Sequence, residues 1–360
     1  MVTATVSAKT EGWPELLQRA LDREDFPSAL AYLNHLEREE GTQKYRSLKG
    51  QIYLLWGRRL LLEGDFDPAG DLLQRARELQ PDRPEVYLLL GELMYYRQRL
   101  DQAIEFWQRS LELSPAQRDL AERLALVRRE KEVEEEMEPV SVANFEIRLP
   151  GGETDAGFDR IQEYLLEAAS EVGRDFHHYP ARTIAVLLYP RREFERLRTT
   201  PEGTGGIYDG KIRLPIDDGG IHPEELKRIL RHEYTHALLH DRFGKNVPLW
   251  LQEGLAQTQE ARIYPLDLGP LESALEREDL IPWRNLDENI VAHQSIDRRR
   301  LAYLQSYSLA EFLVERYGWG GISRILERIS EGEEWIPALE NELLRPFPEL
   351  EKEWRRHLEI

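Results

Sequence analysis

The most informative stretch of the chain is residues 223–240, which read PEELKRILRHEYTHALLH. Pro223 suits the first position of a helix, and the two glutamates after it suit the first turn, where the helix dipole favours acidic groups. The four-residue spacing of His232 and His236 returns both imidazoles to one face of that helix. Glu233 can reach a water on a metal without binding the metal itself. The stretch therefore predicts half of a zinc site and a base beside it.

A third ligand is predicted in residues 248–256, which read PLWLQEGLA and begin a second helix with Pro248 at its start. Glu253 stands between Leu251 and Leu255 in an otherwise apolar stretch, where a carboxylate is costly unless it is paired or bound to a metal. Two His and one Glu, with a fourth position open to water, are typical of a catalytic zinc. A partly exposed Glu near a helix start is the alternative.

The rest of the composition agrees with such a site. The 360 residues include nine His and no Cys, which excludes disulfides, thiol nucleophiles, iron–sulfur clusters and cysteine-bound zinc. A transition metal must therefore be held by His and carboxylate side chains.

The region around this site has a mixed α/β pattern. Ser141–Leu149 and Thr183–Leu188 read as strands, Phe158–Val172 has helical spacing, and Ile207–Leu214 alternates around Asp209-Gly210 as a hairpin would. Gly151-Gly152 is predicted as a turn and Gly203–Gly206 as a loop.

Residues 232–236 and 250–256 resemble the gluzincin metallopeptidases, and most closely the bacterial peptidase MA-like group, in which tetratricopeptide repeats often precede the peptidase domain. The resemblance covers residues 140–360 and implies an α+β zincin domain of the thermolysin-like kind. It also implies that His232, His236 and Glu253 bind Zn2+ and that Glu233 is the general base.

A further helix, from Ala302 to Gly318, resembles the one that carries the catalytic tyrosine in gluzincin aminopeptidases. The resemblance makes Tyr303 the candidate donor to the tetrahedral oxyanion and Tyr307, one turn on, the reserve candidate. A core tyrosine is the alternative for both.

The first third of the chain repeats itself at an offset of 34 residues, which pairs Tyr53 with Tyr87, Gly57 with Gly91, Ala69 with Ala103 and Pro81 with Pro115. Small residues at helix crossings and prolines at helix ends fit a helical hairpin. The pattern resembles the all-α tetratricopeptide solenoid, which implies binding of a peptide or a protein partner. Packing on the second domain alone is the alternative.

Two flanking segments extend this helical region. Trp13–Arg23 and Ala29–Glu37 look like a degenerate earlier repeat, and Pro115–Glu135 like a terminal helix. We expect a repeat domain at 12–138 and a metallopeptidase domain at 140–360. Glu130–Glu138 carries six Glu in nine positions and is interpreted as a solvated helix end running into a linker, with an acidic recognition patch as the alternative.

Charge and hydropathy restrict the partners and the compartment. The net charge of −19 disfavours a sequence-independent grip on nucleic acid, and no apolar run approaches the ~18 residues of a membrane span. Met1–Thr10 lacks the basic start and apolar centre of a signal peptide. Two compartments therefore stay open: the cytoplasm if Met1 is the native start, and the periplasm or another extracytoplasmic location if a leader has been removed.

Three secondary expectations concern the surroundings of the site. The family commonly has an acidic residue one turn after the third ligand that orients a zinc-bound His, where this chain has Gln257; its amide can accept the same hydrogen bond without a charge, so we expect reduced zinc affinity or activity. Tyr208–Leu214 is the candidate edge strand for an extended substrate, and a plain hairpin is the alternative. His240 and the pair His177-His178 are not expected to bind the metal.

The function predicted from the sequence is zinc-dependent hydrolysis of peptide bonds. No motif that would hold a free substrate amine is found, which favours an endopeptidase. The alternative is a repeat-based scaffold protein whose zincin domain is inactive or is activated by a partner.

Overall fold

The computed structural model describes residues 12–63, 65–150, 156–197, 205–216, 222–244, 246–291 and 295–358. The Met1–Thr10 segment, the predicted Gly151-Gly152 turn and half of the Gly203–Gly206 loop lie outside these ranges. The chain divides into two compact units, Met1–Arg128 and Arg129–Ile360.

The first unit is helical. Its elements are α1 Trp13–Asp22, α2 Phe26–Glu40, α3 Thr42–Glu63, α4 Phe66–Leu79, α5 Pro84–Tyr96, α6 Leu100–Leu113 and the start of α7 Arg118–Glu135. Consecutive helices pack as hairpins, α1 on α2, α3 on α4 and α5 on α6. The predicted helical solenoid is therefore confirmed.

The repeated glycines lie where the hairpin helices cross. A Cβ on Gly57 would lie 2.9 Å from Leu73 of α4, and a Cβ on Gly91 would collide with the indole of Trp107 of α6. Leu73 and Trp107 are fully buried, so each glycine makes room for a buried side chain of the facing helix. In the flanking hairpin α1–α2, Asp25 caps the N-terminus of α2, and its carboxylate accepts the Ser28 N–H at 3.2 Å.

The second unit is mixed α+β, as expected. Its elements begin with β1 Met137–Val142, β2 Phe145–Pro150, α8 Ala156–Phe176, β3 Ile184–Pro190, α9 Arg191–Leu197, β4 Ile207–Tyr208, β5 Ile212–Ile216 and α10 Pro223–Phe243. They continue with α11 Leu249–Ala261, α12 Gly269–Glu276, the 3-10 turn Trp283–Asn285, α13 Leu286–Val291, α14 Ile296–Ser330, α15 Trp335–Leu343 and α16 Phe347–Leu358. Helix α14 is interrupted at Gly318, where φ is 69°, so the predicted end of its first part at this glycine is confirmed.

The strands form one sheet in the order β1-β2-β3-β5-β4. Strands β2, β3 and β5 are parallel, while β1 and β4 pair antiparallel to their neighbours. The single strand predicted over Ser141–Leu149 is wrong, because the chain turns at Ala143, with φ 51°, and forms the hairpin β1–β2. The edge position expected for Tyr208–Leu214 holds for Tyr208 in β4, whereas β5 lies between β3 and β4.

Helix α10 is held against the sheet and between α8 and α11. Its apolar side is buried through residues such as Leu230, Tyr234 and Leu238, and the Tyr234 ring lies 5.8 Å from that of Phe145 in β2. Both flanks of the helix that carries His232 are thus fixed by the core.

The acidic end of α7 is not solvated throughout. Glu130 and Glu134 are buried and bind Lys211, which is 1% exposed, while Arg213 of β5 binds Glu130 at 2.7 Å. The Tyr189 hydroxyl donates to Glu134 at 2.6 Å. The interpretation of Glu130–Glu138 as a solvated helix end is therefore wrong for these two residues, because they are buried against the cations Lys211 and Arg213, which lie far along the chain.

Among the helices that the structure describes, none has both the length and the apolar character needed to span a membrane.

Candidate metal centre

Helix α10 and helix α11 bring His232, His236 and Glu253 together. The Nε2 atoms of the two histidines are 3.2 Å apart, and Oε2 of Glu253 lies 3.6 Å from that of His232 and 3.7 Å from that of His236. Zinc bound tetrahedrally at its usual distances would hold such atoms about 3.4 Å apart. The three donors therefore fit a zinc ion. Their side chains are 12–17% exposed, so the centre can be reached from solvent.

Charge also favours a cation at this point. Burial raises the pKa of Glu253, but the two histidines outweigh it and hold that pKa far below its ordinary value, so the group is a carboxylate. Burial opposes the charge on His232, yet its bonds to Glu253 and Glu260 raise the His232 pKa well above the ordinary value. The acidic groups around His232 thus attract positive charge.

Helix α11 is positioned at its start and at its middle. The carboxylate of Asp287 in α13 accepts the N–H groups of Leu249 and Trp250, at 3.2 and 2.6 Å, and so caps the helix. At Gly254, next to Glu253, a Cβ would collide with the carbonyl of Ser306 in α14. The close crossing of α11 and α14 requires this glycine.

Glu260 binds the ring nitrogen of His232 that points away from the other two candidate ligands. Its Oε2 lies 2.8 Å from the His232 Nδ1, and its other oxygen binds Arg228. Burial raises the pKa of Glu260, but His232 and Arg228 outweigh it and lower that pKa, so the carboxylate accepts and Nδ1–H donates. This leaves the His232 Nε2 free to bind a metal. Glu260 thus supplies the charged partner that Gln257 cannot, and the expected effect of Gln257 on zinc affinity or activity stays a prediction.

Glu233 lies beside the three donors but is not one of them. It is 5% exposed, and burial raises its pKa against the attraction of His232 and His236. The backbone before β4 covers it: a Cβ on Gly206 would lie 2.9 Å from the Glu233 Cγ. The side chain is therefore confined next to the ligands.

The two candidate tyrosines have different surroundings. Burial raises the pKa of Tyr303, and the charges of Glu253 and Glu233 raise it further. The Tyr307 hydroxyl instead donates to Glu311 at 2.6 Å. The Tyr307 hydroxyl is therefore engaged by Glu311, and Tyr303 stays the candidate whose phenol is influenced by the charges of the centre.

Residues 201–359 match the family model described as the Peptidase MA superfamily. This region is a Peptidase MA superfamily domain. Residues 60–126 match the model of the tetratricopeptide repeat, so both parts of the predicted resemblance are confirmed. No curated protein gives a significant match to the chain. The superfamily suggests a metallopeptidase-type function, and the repeats suggest protein interaction.

The other histidines near the Peptidase MA helix α10 are engaged elsewhere. His240 Nδ1 lies 3.4 Å from the Tyr208 hydroxyl, and His178 Nε2 lies 2.8 Å from Asp241, which also binds Arg182. Neither belongs to the group of three possible ligands.

Sequence reasoning missed Glu260 and Asp287. Glu260 has a local signal, because a residue two turns after Glu253 lies on the same face of α11. Asp287 has none, since its contact with Trp250 spans 37 residues of chain.

Proposed function

We propose that this protein is a zinc-dependent peptidase, with His232, His236 and Glu253 as the zinc ligands. The observation that carries the proposal is the triangle of donor atoms with sides of 3.2, 3.6 and 3.7 Å, which suits one tetrahedral ion. These residues would hold a zinc ion, and the ion would supply a Lewis acid that acidifies a water and polarises the scissile carbonyl.

Glu233 is the proposed general base. Its carboxylate takes a proton from the water that attacks the carbonyl carbon and then gives that proton to the leaving amine nitrogen as the C–N bond breaks. Two features support this role. Glu233 directly follows His232 in the chain, and the backbone at Gly206 packs against its side chain, so the carboxylate is held beside the proposed ligands.

Tyr303 is the proposed oxyanion donor. Its protonated phenol would donate a hydrogen bond to the oxygen that becomes negative when the tetrahedral centre forms. Its electrostatic contact with Glu253 and Glu233 supports a position at the reacting carbonyl.

We further propose endopeptidase action, since the sequence has no motif for a free substrate amine. The repeat region would bind a protein partner or deliver the substrate, the role that tetratricopeptide repeats suggest.

The deciding experiment compares the wild type with Glu233→Gln. We expect about one zinc per chain in both proteins, cleavage of a mixed peptide library by the wild type, and a loss of about 10²- to 10⁴-fold in the variant. Zinc binding without cleavage in the wild type, with and without candidate partners, would favour the scaffold alternative. A wild type that binds no zinc would overturn the metal centre itself.

A further inference from the structure

Three consecutive arginines open helix α14, and they have different partners. Nη1 of Arg298 donates to Asp279 at 3.0 Å, and Nη2 of Arg300 donates to Asp267 at 2.9 Å. Arg299 makes no hydrogen bond or ion pair with any residue that the structure describes, and its Nε is buried. Among the residues that the structure describes, the middle arginine is thus the one without a partner.

Arg299 also lies on the side of α14 that faces the metal centre. It precedes Tyr303 by one helical turn and Ser306 by two, so the three residues share a face, and the Ser306 carbonyl packs against Gly254, next to Glu253. The pKa of the Tyr303 phenol is raised by burial and by Glu253, and the charge of Arg299 acts on it in the opposite direction. The guanidinium of Arg299 and the phenol of Tyr303 therefore lie on the same face of α14.

An arginine in this setting carries an energetic cost. A guanidinium does not lose its proton, and a buried N–H without an acceptor costs free energy. The planar group matches a carboxylate, which can accept two parallel N–H bonds from it. A ligand that supplies a carboxylate would remove the cost.

We propose that Arg299 binds a carboxylate of the peptide substrate and so determines specificity. The proposal rests on the proposed peptidase function. One helical turn is about 5.4 Å, which an extended peptide spans in one to two residues. The carboxylate would therefore lie within about two residues of the scissile bond. In an endopeptidase it belongs to an acidic side chain; if it is instead the substrate's C-terminus, the enzyme removes one or two C-terminal residues and the endopeptidase part of the proposed function falls.

The test measures binding to the zinc-loaded Glu233→Gln protein, which does not consume its ligand. A fluorescent peptide that the wild type cleaves is prepared in versions with Glu or Gln at each of the two positions on either side of the scissile bond. A further pair of peptides ends within two residues after the scissile bond, one with a free C-terminus and one with an amidated C-terminus. Anisotropy then gives the affinity of each peptide.

We expect Arg299→Gln to weaken binding of the carboxylate-bearing peptide by about 10- to 100-fold and to leave its neutral counterpart unchanged. Arg298→Gln and Arg300→Gln are matched controls that remove a neighbouring charge and should change neither affinity. The Glu/Gln pairs and the free/amidated pairs show which source of the carboxylate is used.

Thermal unfolding separates this role from a structural one. Because Arg299 has no described partner to lose, the Arg299→Gln variant should keep the parent's Tm, whereas a structural arginine would lower it. Equal loss of affinity for charged and neutral peptides, or a parent that does not prefer the carboxylate, would overturn the proposal. A parent that shows no preference for the carboxylate still cleaves the peptide, so the proposed peptidase function would stand. A wild type that binds no zinc and cleaves no peptide would instead overturn the proposed function itself.

Discussion

Nδ1 of His232 lies 2.8 Å from Oε2 of Glu260, on the same helix that carries Glu253. Helix α11 thus supplies both a candidate ligand and the carboxylate that orients another ligand. Two residues two turns apart share a helix face, so one rigid element fixes both distances. Displacing α11 would therefore disturb the contact of His232 with Glu260 and its contact with Glu253 together.

This relationship predicts that Glu260→Gln weakens zinc binding by about 10- to 100-fold, because the amide no longer stabilises the oriented imidazole with a charge. Competition with a chromogenic chelator measures the affinity. Arg228→Gln is the control, since it removes the other partner of Glu260 and leaves the His232 contact. Equal losses in the two variants would contradict the prediction.

The tyrosine assignment predicts different effects for two conservative changes. Tyr303→Phe should lower kcat by about 10²- to 10³-fold with zinc affinity unchanged, because it removes the oxyanion donor alone. Tyr307→Phe loses the bond to Glu311 and should cost about 1 kcal/mol of stability with kcat unchanged. Steady-state kinetics and thermal unfolding check both, and a large kcat loss only in Tyr307→Phe would reverse the assignment.

The sequence predicted those parts of the site that depend on local spacing. His232 and His236 are one turn apart on a single helix, and Glu253 stands out in an apolar stretch, so each has a signal within a few residues. The family pattern places the acidic partner of a zinc-bound His one turn after Glu253, where this chain has Gln257, whereas the carboxylate that bonds His232 is Glu260, two turns after Glu253. A charge run such as Glu130–Glu138 looks solvated until its partners are known, and Lys211 is remote in sequence.

The helix crossing at Gly254 predicts a loss of both stability and metal affinity in Gly254→Ala. The added methyl would collide with the Ser306 carbonyl and lie 2.8 Å from the Ala310 Cβ, which should cost about 1–3 kcal/mol and move Glu253. Urea unfolding and chelator competition measure the two effects. Gly320→Ala is the control, because its methyl would meet nothing closer than Arg324 at 3.6 Å and should leave both quantities unchanged or raise the stability.

The buried ion cluster predicts a large destabilisation in Lys211→Met. The change leaves Glu130 and Glu134 without their shared cation, and breaking a buried pair in this way costs about 3–5 kcal/mol. Burial already raises the pKa of Glu134, so its charge is penalised as the pH rises through that pKa. The destabilisation should therefore be smaller at acidic than at alkaline pH.

A double variant tests whether the stranded charge is the cause. Lys211→Met combined with Glu134→Gln should regain part of the lost stability, because it removes a buried carboxylate together with its cation. Lys227→Met is the control, since its pair with Glu167 is partly exposed and should be worth at most about 1 kcal/mol. Urea unfolding at two pH values measures all four proteins. A double variant less stable than Lys211→Met alone would show that Glu134 stabilises the fold through other contacts, such as the Tyr189 hydroxyl, rather than through the lysine.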